Sequence, residues 1–213
     1  MNGIKVCKTR AGLASIEEPD TELVIWQRSI PSGFQDWIDK TDAASLPDVR
    51  ILVKPDELRR ALEPLLDNSG VRAGLMRERL ITDVNDLVIA FADITRSDGV
   101  DVRLERVSHD ACWKFHRDIV EMRLVTTYRG PTTEWVRQAH AEQATQEQRE
   151  FKGPLEQLGG GDVAIFKGSC ASSTGGIVHR SPPIVGTGLS RLLLCLNQRT
   201  DASPDPWSKV LMH

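Results

Sequence analysis

The sequence lacks three things: an apolar run of bilayer-spanning length, a cysteine pair at CxxC spacing, and an excess of positive charge. Each absence excludes a class of protein. A transmembrane helix needs about 20 consecutive apolar residues, so no membrane partner is expected. The four cysteines, Cys7, Cys112, Cys170 and Cys195, are widely scattered. They suggest no disulfide framework and fit a reducing compartment. A formal net charge of −3 gives no electrostatic case for a nucleic-acid partner, which would call for a basic stripe. Near the N-terminus, Lys5, Lys8 and Arg10 lead only to Glu17, Glu18 and Asp20, without an intervening apolar stretch of signal-peptide length. A cytoplasmic protein is the expectation. Internal repeats are absent too.

What is present is ordinary in amount and informative in order. The 213 residues, 40% hydrophobic and 27% charged, have the composition of a common soluble domain. A chain of this size buries roughly 70% of its unfolded surface and needs no disulfide or metal merely to fold. Its texture changes near residue 100, which predicts a helical segment over 1–100, a β core over 101–200 and a tail over 201–213. Phe34, Trp37 and Ile38 recur at helical spacing after Pro31 and Ser32. Pro55, Asp56 and Glu57 open a second helix with Leu58, Leu62 and Leu65 on its apolar face. Pro64 is expected to bend or end it, and Asn68-Ser-Gly70 reads as its stop. A third helix is predicted from Thr82 as N-cap, with Val84, Leu87, Val88, Phe91 and Ala92 facing a core.

Beyond Asp98-Gly99, short β-rich runs dominate: 102–107, 112–116, 122–128, 134–136, 162–167, 176–181 and 191–197. Turn signals such as Arg129-Gly-Pro131, Gly159-Gly-Gly161 and Ser181-Pro-Pro183 separate them. Many short strands between Gly/Pro turns point to a sandwich, jelly roll or barrel. The polar stretch 139–150 interrupts them as a solvated helix or a loop.

Chemistry concentrates in Trp113-Lys-Phe-His-Arg-Asp118. Alternate residues of a strand share a face, so His116 and Asp118 can aim an imidazole and a carboxylate at one point. Ile177-Val-His179 puts a second imidazole in another β-rich run. Two imidazoles and a carboxylate with open positions opposite form the facial triad suited to non-haem Fe(II) oxygen chemistry. Downstream, Arg191 heads the apolar run Leu192–Leu196. It is either a strand-end arginine reaching solvent or a guanidinium that grips a carboxylate through two parallel hydrogen bonds.

This H-x-D … H … R order resembles the Fe(II)/2-oxoglutarate-dependent dioxygenase superfamily. The resemblance implies an α+β fold: N-terminal helices packed on a double-stranded β-helix, a jelly-roll or cupin-like barrel. It implies metal ligation by His116, Asp118 and His179. Arg191 would bind the distal carboxylate of 2-oxoglutarate, with the Tyr128 hydroxyl a second donor to it. Many members carry a serine two positions after the arginine, where this chain has Leu193. More closely, Trp113–Trp135 and Gly161–Leu196 resemble a bacterial domain-of-unknown-function family, number 1826, through Thr127-Tyr-Arg-Gly-Pro131 and Val178-His-Arg-Ser-Pro-Pro183. That family brings no established activity; its members are often encoded near zinc-handling GTPases, and the resemblance therefore implies a metal-homeostasis role as an expectation.

Three readings follow. The first is an Fe(II)/2-oxoglutarate dioxygenase acting on a small-molecule or protein substrate. The second is a non-catalytic Zn(II)-binding module, with Cys112, on the alternation face of His116 and Asp118, or a water completing the tetrahedron. The third is a zinc hydrolase using Glu121 or Glu134 as general base. Arg180 follows His179 directly and is expected on the opposite strand face, while Arg123 and Arg129 compete with Arg191 as anchors. Cys170, His109, His140 and His213 are read as loop or tail residues, and Trp113 and Trp135 as packing residues.

Overall fold

The structure, a computed structural model, describes residues 3–208. His213 lies outside them. In chain order the regular elements are β1 (Ile4–Cys7), β2 (Leu23–Trp26), α1 (Ser32–Lys40), β3 (Val49–Val53), α2 (Leu58–Asn68), α3 (Leu75–Thr95) and β4 (Val100–Val107). There follow β5 (Met122–Arg129), β6 (Glu134–Trp135), α4 (Ala141–Glu147), β7 (Glu156–Gln157), β8 (Val163–Lys167), β9 (His179–Arg180) and β10 (Arg191–Gln198).

A seven-stranded sheet runs β1-β2-β8-β5-β10-β4-β3, and a three-stranded sheet runs β7-β6-β9. The large sheet is antiparallel apart from the β1–β2 pair. Strand alternation divides its side chains between two layers. Leu192, Leu194 and Leu196 of β10 meet the helices in a core with Val102 and Leu104 of β4 and Phe91 of α3. Cys195 faces the other way, among Val125, Ala164, Phe166 and Trp135, toward the small sheet. A third cluster, around Phe115, Phe151 and Val178, seats α4 against the outside of the small sheet.

The predicted helices form, with two corrections. Pro64 lies inside α2, which continues to Asn68. Leu62 and Leu66, both fully buried, anchor the segments on either side of it, and the Arg77 guanidinium takes the Glu63 carbonyl at 2.8 Å. Thr82 is not a helix start but lies within α3, which begins after Gly74, because Leu80 and Ile81 carry the buried stripe back toward Met76. The stretch 139–150 is helical in its centre, as α4. Before residue 100 the chain also supplies three strands, β1, β2 and β3, to the same large sheet as β4. The run 112–116 is not a regular strand. Only His116 pairs there, through an isolated bridge to His179, and Cys112 sits at a left-handed φ of 52°. No helix among the described residues is long and apolar enough to cross a membrane.

Candidate metal centre

Backbone pairing brings the two histidines together. The His116 amide donates to the His179 carbonyl, and the His179 amide returns the bond to His116, both at 3.0 Å. Asp118 follows in a loop latched to the segment after β8: the amides of Ser169 and Cys170 donate to the carbonyls of Asp118 and Val120 at 2.8 and 3.2 Å. Gly168 makes that latch possible. A Cβ there would stand 2.1 Å from the Val120 oxygen.

Each imidazole is oriented by its own strand. Nδ1 of His116 lies 2.8 Å from the Lys114 carbonyl oxygen, and Nδ1 of His179 lies 3.1 Å from that of Ile177. A carbonyl only accepts, so Nδ1 carries a proton in both rings, and the neutral form of each ring would offer Nε2 to a metal; in the metal-free protein His116 holds a further proton on Nε2 more readily, toward Asp118. The two Nε2 atoms face one carboxylate. His116 Nε2 is 3.5 Å from Asp118 Oδ1, and His179 Nε2 is 3.4 Å from Asp118 Oδ2. Ligand atoms of all three residues lie within 4.8 Å of one another. Atoms held at about 2.1 Å from one ion, and about 90–110° apart around it, would be separated by about 3.0–3.4 Å. The two imidazole–carboxylate distances come close to that range, the whole set spans up to 4.8 Å, and the three residues could hold a divalent cation after their side chains draw together. The buried Oδ2 of Asp118, which has no hydrogen bond, is the vertex such an ion would satisfy.

Electrostatics agree with the geometry. Burial works to raise the Asp118 carboxyl, but the His116 hydrogen bond and the charges of His179 and Arg123 overcome it and bring the carboxyl down to about 2. The Asp118 bond raises the His116 imidazole against the opposing effect of burial. Burial dominates at His179 and lowers it. The Phe166 ring stacks on His179 at 4.8 Å between centroids, fixing one wall.

Arg191 opens β10 on the face that carries Leu193 and Cys195, the face the small sheet covers. Its guanidinium makes no hydrogen bond or ion pair with a described residue, its Nε is buried without a partner, and the residue is only 3% exposed. Burial lowers its pKa, with Cys112 and Asp110 the largest opposing influences. Gly130, at φ 81°, gives the arginine room, since a Cβ there would lie 3.0 Å from Arg191 Cγ and 2.4 Å from the Ser190 oxygen. On the same side of the sheet the indole Nε1 of Trp135 is also buried and unpartnered.

Tyr128 does not join this site. Its hydroxyl donates to Asp83 Oδ2 at 2.6 Å, its ring packs on Phe34, and both lie on the helix side of the sheet. Alternation along β5 puts it there, on the face of Leu124 and away from Val125. Beyond Thr127 the β5–β10 register slips between Leu192 and Leu193, so Thr127 opposes Leu193, Arg129 opposes Leu192, and Tyr128 is the extra residue of a bulge. Arg129 consequently also turns to the helices, donating to the Thr41 carbonyl at 2.6 Å. Tyr128 instead floors a cavity of about 660 Å³ with Arg28, Phe34 and Asp83, to which no triad residue contributes.

The remaining candidates separate cleanly. Cys112 is not among the converging donor atoms, because its left-handed φ breaks the alternation that would have aligned it with His116. Glu134 pairs with Arg180 at 2.7 Å on the outer face of the small sheet, where Arg180 covers the Phe115 ring. Glu121 is bound by Gln198 at 3.1 Å. The unforeseen contact is Arg123, whose Nη1 forms an ion pair with Asp118 Oδ1. Alternation along β5 already put Arg123 on the face of Val125. What the sequence did not show was how far the loop after His116 folds back toward it.

Among solved structures, a Pseudomonas putida prolyl-4-hydroxylase is similar over 90% of this chain and 94% of its own, at 12% identity and a TM-score of 0.44. The Kdo hydroxylase KdoO, a non-heme Fe(II) alphaketoglutarate dependent dioxygenase in complex with succinate and Fe(III), is similar over 92% and 89%, at 9% identity and a TM-score of 0.46. Likeness of that degree carries no chemistry across. No curated protein matches the chain. The profile of one family, described as a protein of unknown function, DUF1826, matches residues 8–197, and the chain belongs to that family.

Proposed function

We propose that the protein is a non-haem Fe(II)/2-oxoglutarate-type dioxygenase, with His116, Asp118 and His179 as metal ligands and Arg191 as the anchor for the co-substrate's distal carboxylate. The observation that carries this reading is the buried, unpaired Arg191 on the same side of the sheet as the triad. A buried guanidinium without a counter-ion costs several kcal/mol. An anionic ligand recovers that cost, and a carboxylate matches the guanidinium's paired donors.

Strand interleaving supports the same reading. In chain order, β4, β5, β8 and β10 enter the large sheet, while the His116 segment, β6, β7 and β9 enter the small one. Chain segments that pass between two facing sheets in this way are the pattern of a double-stranded β-helix. In this arrangement His116, Asp118 and His179 would hold a bound metal and leave positions for exogenous ligands.

When bound, the metal would supply a site at which dioxygen is the oxidant and the oxo-acid a two-electron co-reductant. The chain's own residues bind and orient. The Lys114 and Ile177 carbonyls hold both rings in the tautomer that presents Nε2. Phe166 limits water beside His179. Trp135 offers a buried N–H to whatever occupies the space between the sheets.

The test is anaerobic titration of the Fe(II) protein with 2-oxoglutarate. A metal-to-ligand charge-transfer band is expected in the wild type and is expected to be absent in His116→Ala and strongly weakened in Arg191→Met. A wild-type protein that binds Fe(II) yet gives no band overturns the dioxygenase reading. Tight Zn(II) binding without any oxo-acid binding would instead establish the metal-homeostasis module.

A further inference from the structure

The two oxygens of Asp118 are not equivalent. Oδ1 is engaged by the Arg123 guanidinium, whereas Oδ2 is buried without a hydrogen bond and stands 3.4 Å from His179 Nε2. Arg123 is itself held in place. It faces Asn197 across the β5–β10 register, and its Nε donates to Asn197 Oδ1 at 2.7 Å. A carboxylate at a metal can bind through one oxygen or through both. Here a second cation already occupies one of them.

We propose that Arg123 restricts Asp118 to a single metal-facing oxygen and cancels its charge, so that an ion bound by the triad keeps the open positions and the net positive charge needed to take an anionic bidentate ligand. The inference rests on the metal reading above and goes beyond it, by assigning a positioning residue that touches no exogenous ligand. Two arguments converge. Without the guanidinium, Asp118 Oδ1 would be free to coordinate, and a two-oxygen aspartate would take a position that a chelating ligand needs. In charge terms, two neutral imidazoles, one carboxylate and one guanidinium sum to zero, so a divalent ion retains its full charge. Removing Arg123 leaves the ligand set negative, which favours the bare metal and disfavours an anion beside it, the more so in a partly desolvated site. A guanidinium that merely stabilised the loop would affect metal and anion alike.

The experiment separates these outcomes without relying on turnover. Wild type, Arg123→Gln and Arg123→Lys are titrated with Co(II), followed by its visible absorption, and the Co(II)-loaded proteins are then titrated with oxalate. Arg123→Gln should bind Co(II) within roughly threefold of wild type, or more tightly, while its oxalate affinity falls by on the order of tenfold or more. Arg123→Lys, which keeps the charge but cannot bond Asp118 and Asn197 together, should lose oxalate affinity to a smaller extent. Equal oxalate affinity in all three proteins overturns the proposal, and so does a parallel loss of Co(II) and oxalate in Arg123→Gln. If Arg123→Gln does not fold, Arg123→Lys decides, and a loss of Co(II) as large as its loss of oxalate overturns the proposal. A wild type that binds no Co(II) overturns the metal reading itself, an outcome visible before any variant is measured.

Discussion

The two faces of the large sheet handle buried charge in opposite ways. On the helix side, Arg28 meets Asp83 with both terminal nitrogens, its Nε donates to the Gly161 carbonyl at 2.7 Å, and the Tyr128 hydroxyl completes the carboxylate's partners. On the small-sheet side, Arg191 has no partner among the described residues, Asp118 keeps one oxygen without a hydrogen bond, and two histidines turn their Nε2 atoms toward the carboxylate. The residue types are alike: arginine, aspartate and a hydrogen-bonding ring. A finished network stabilises, whereas an unfinished one is a standing cost that only a ligand removes. The contrast puts a satisfied network on one face and unsatisfied groups on the other.

Changes on each side should therefore differ in sign as well as size. The largest expected effect is structural: Phe91→Ala, in the fully buried helix-side core, should cost about 3–5 kcal/mol in denaturant unfolding without altering Co(II) affinity once folded. Next, Arg191→Met should weaken 2-oxoglutarate binding by an equivalent of about 2–5 kcal/mol, while raising the melting temperature of the ligand-free protein, since a buried unpaired charge is removed. Calorimetry with and without the oxo-acid checks both halves, and a fall in ligand-free melting temperature would show that Arg191 has a partner after all.

Acid should then act on the site side through Asp118. Its folded carboxyl, at about 2, lies below the ordinary value of about 3.9. A depressed acid contributes stability that is fully present above the unfolded value and disappears as pH falls through the folded one. Between about pH 4 and pH 2 the metal-free protein should lose about 2 kcal/mol from this group, and Asp118→Asn should remove that portion of the decline. The smallest effect belongs to Tyr128→Phe. Asp83 keeps Arg28, so the loss should be about 1 kcal/mol, with oxo-acid binding unchanged. A large effect of Tyr128→Phe on binding would dissolve the division between the faces.

Local pattern made the members of the cluster legible, and tertiary closure made the rest illegible. His116, Asp118, His179 and Arg191 could be read because each sits in or beside a β-rich run whose alternation is a local property. Tyr128 came from the family resemblance and not from that rule, which puts it with Leu124 on the helix face; the rule fails only beyond it, at Arg129, where a bulge with no marker in residue type reverses the parity. Cys112 failed similarly, through a single left-handed dihedral. The N-terminal strands were missed because β1 and β2 are four residues each, too short for a period to declare itself, and β2 joins the rest of the sheet through β8, far along the chain. Arg123 belongs with these: its strand face could be read, but its contact with Asp118 depends on a loop latched by Ser169 and Cys170.

The reciprocal amide bonds between positions 116 and 179 involve no side-chain atom. The scaffold that gathers the ligands is thus chemically independent of them. A descendant sequence that replaced both rings would still hold those two points in register and could acquire a different ion, or none, without refolding. In that sense the site is an address kept by the main chain, and the histidines are its present tenants.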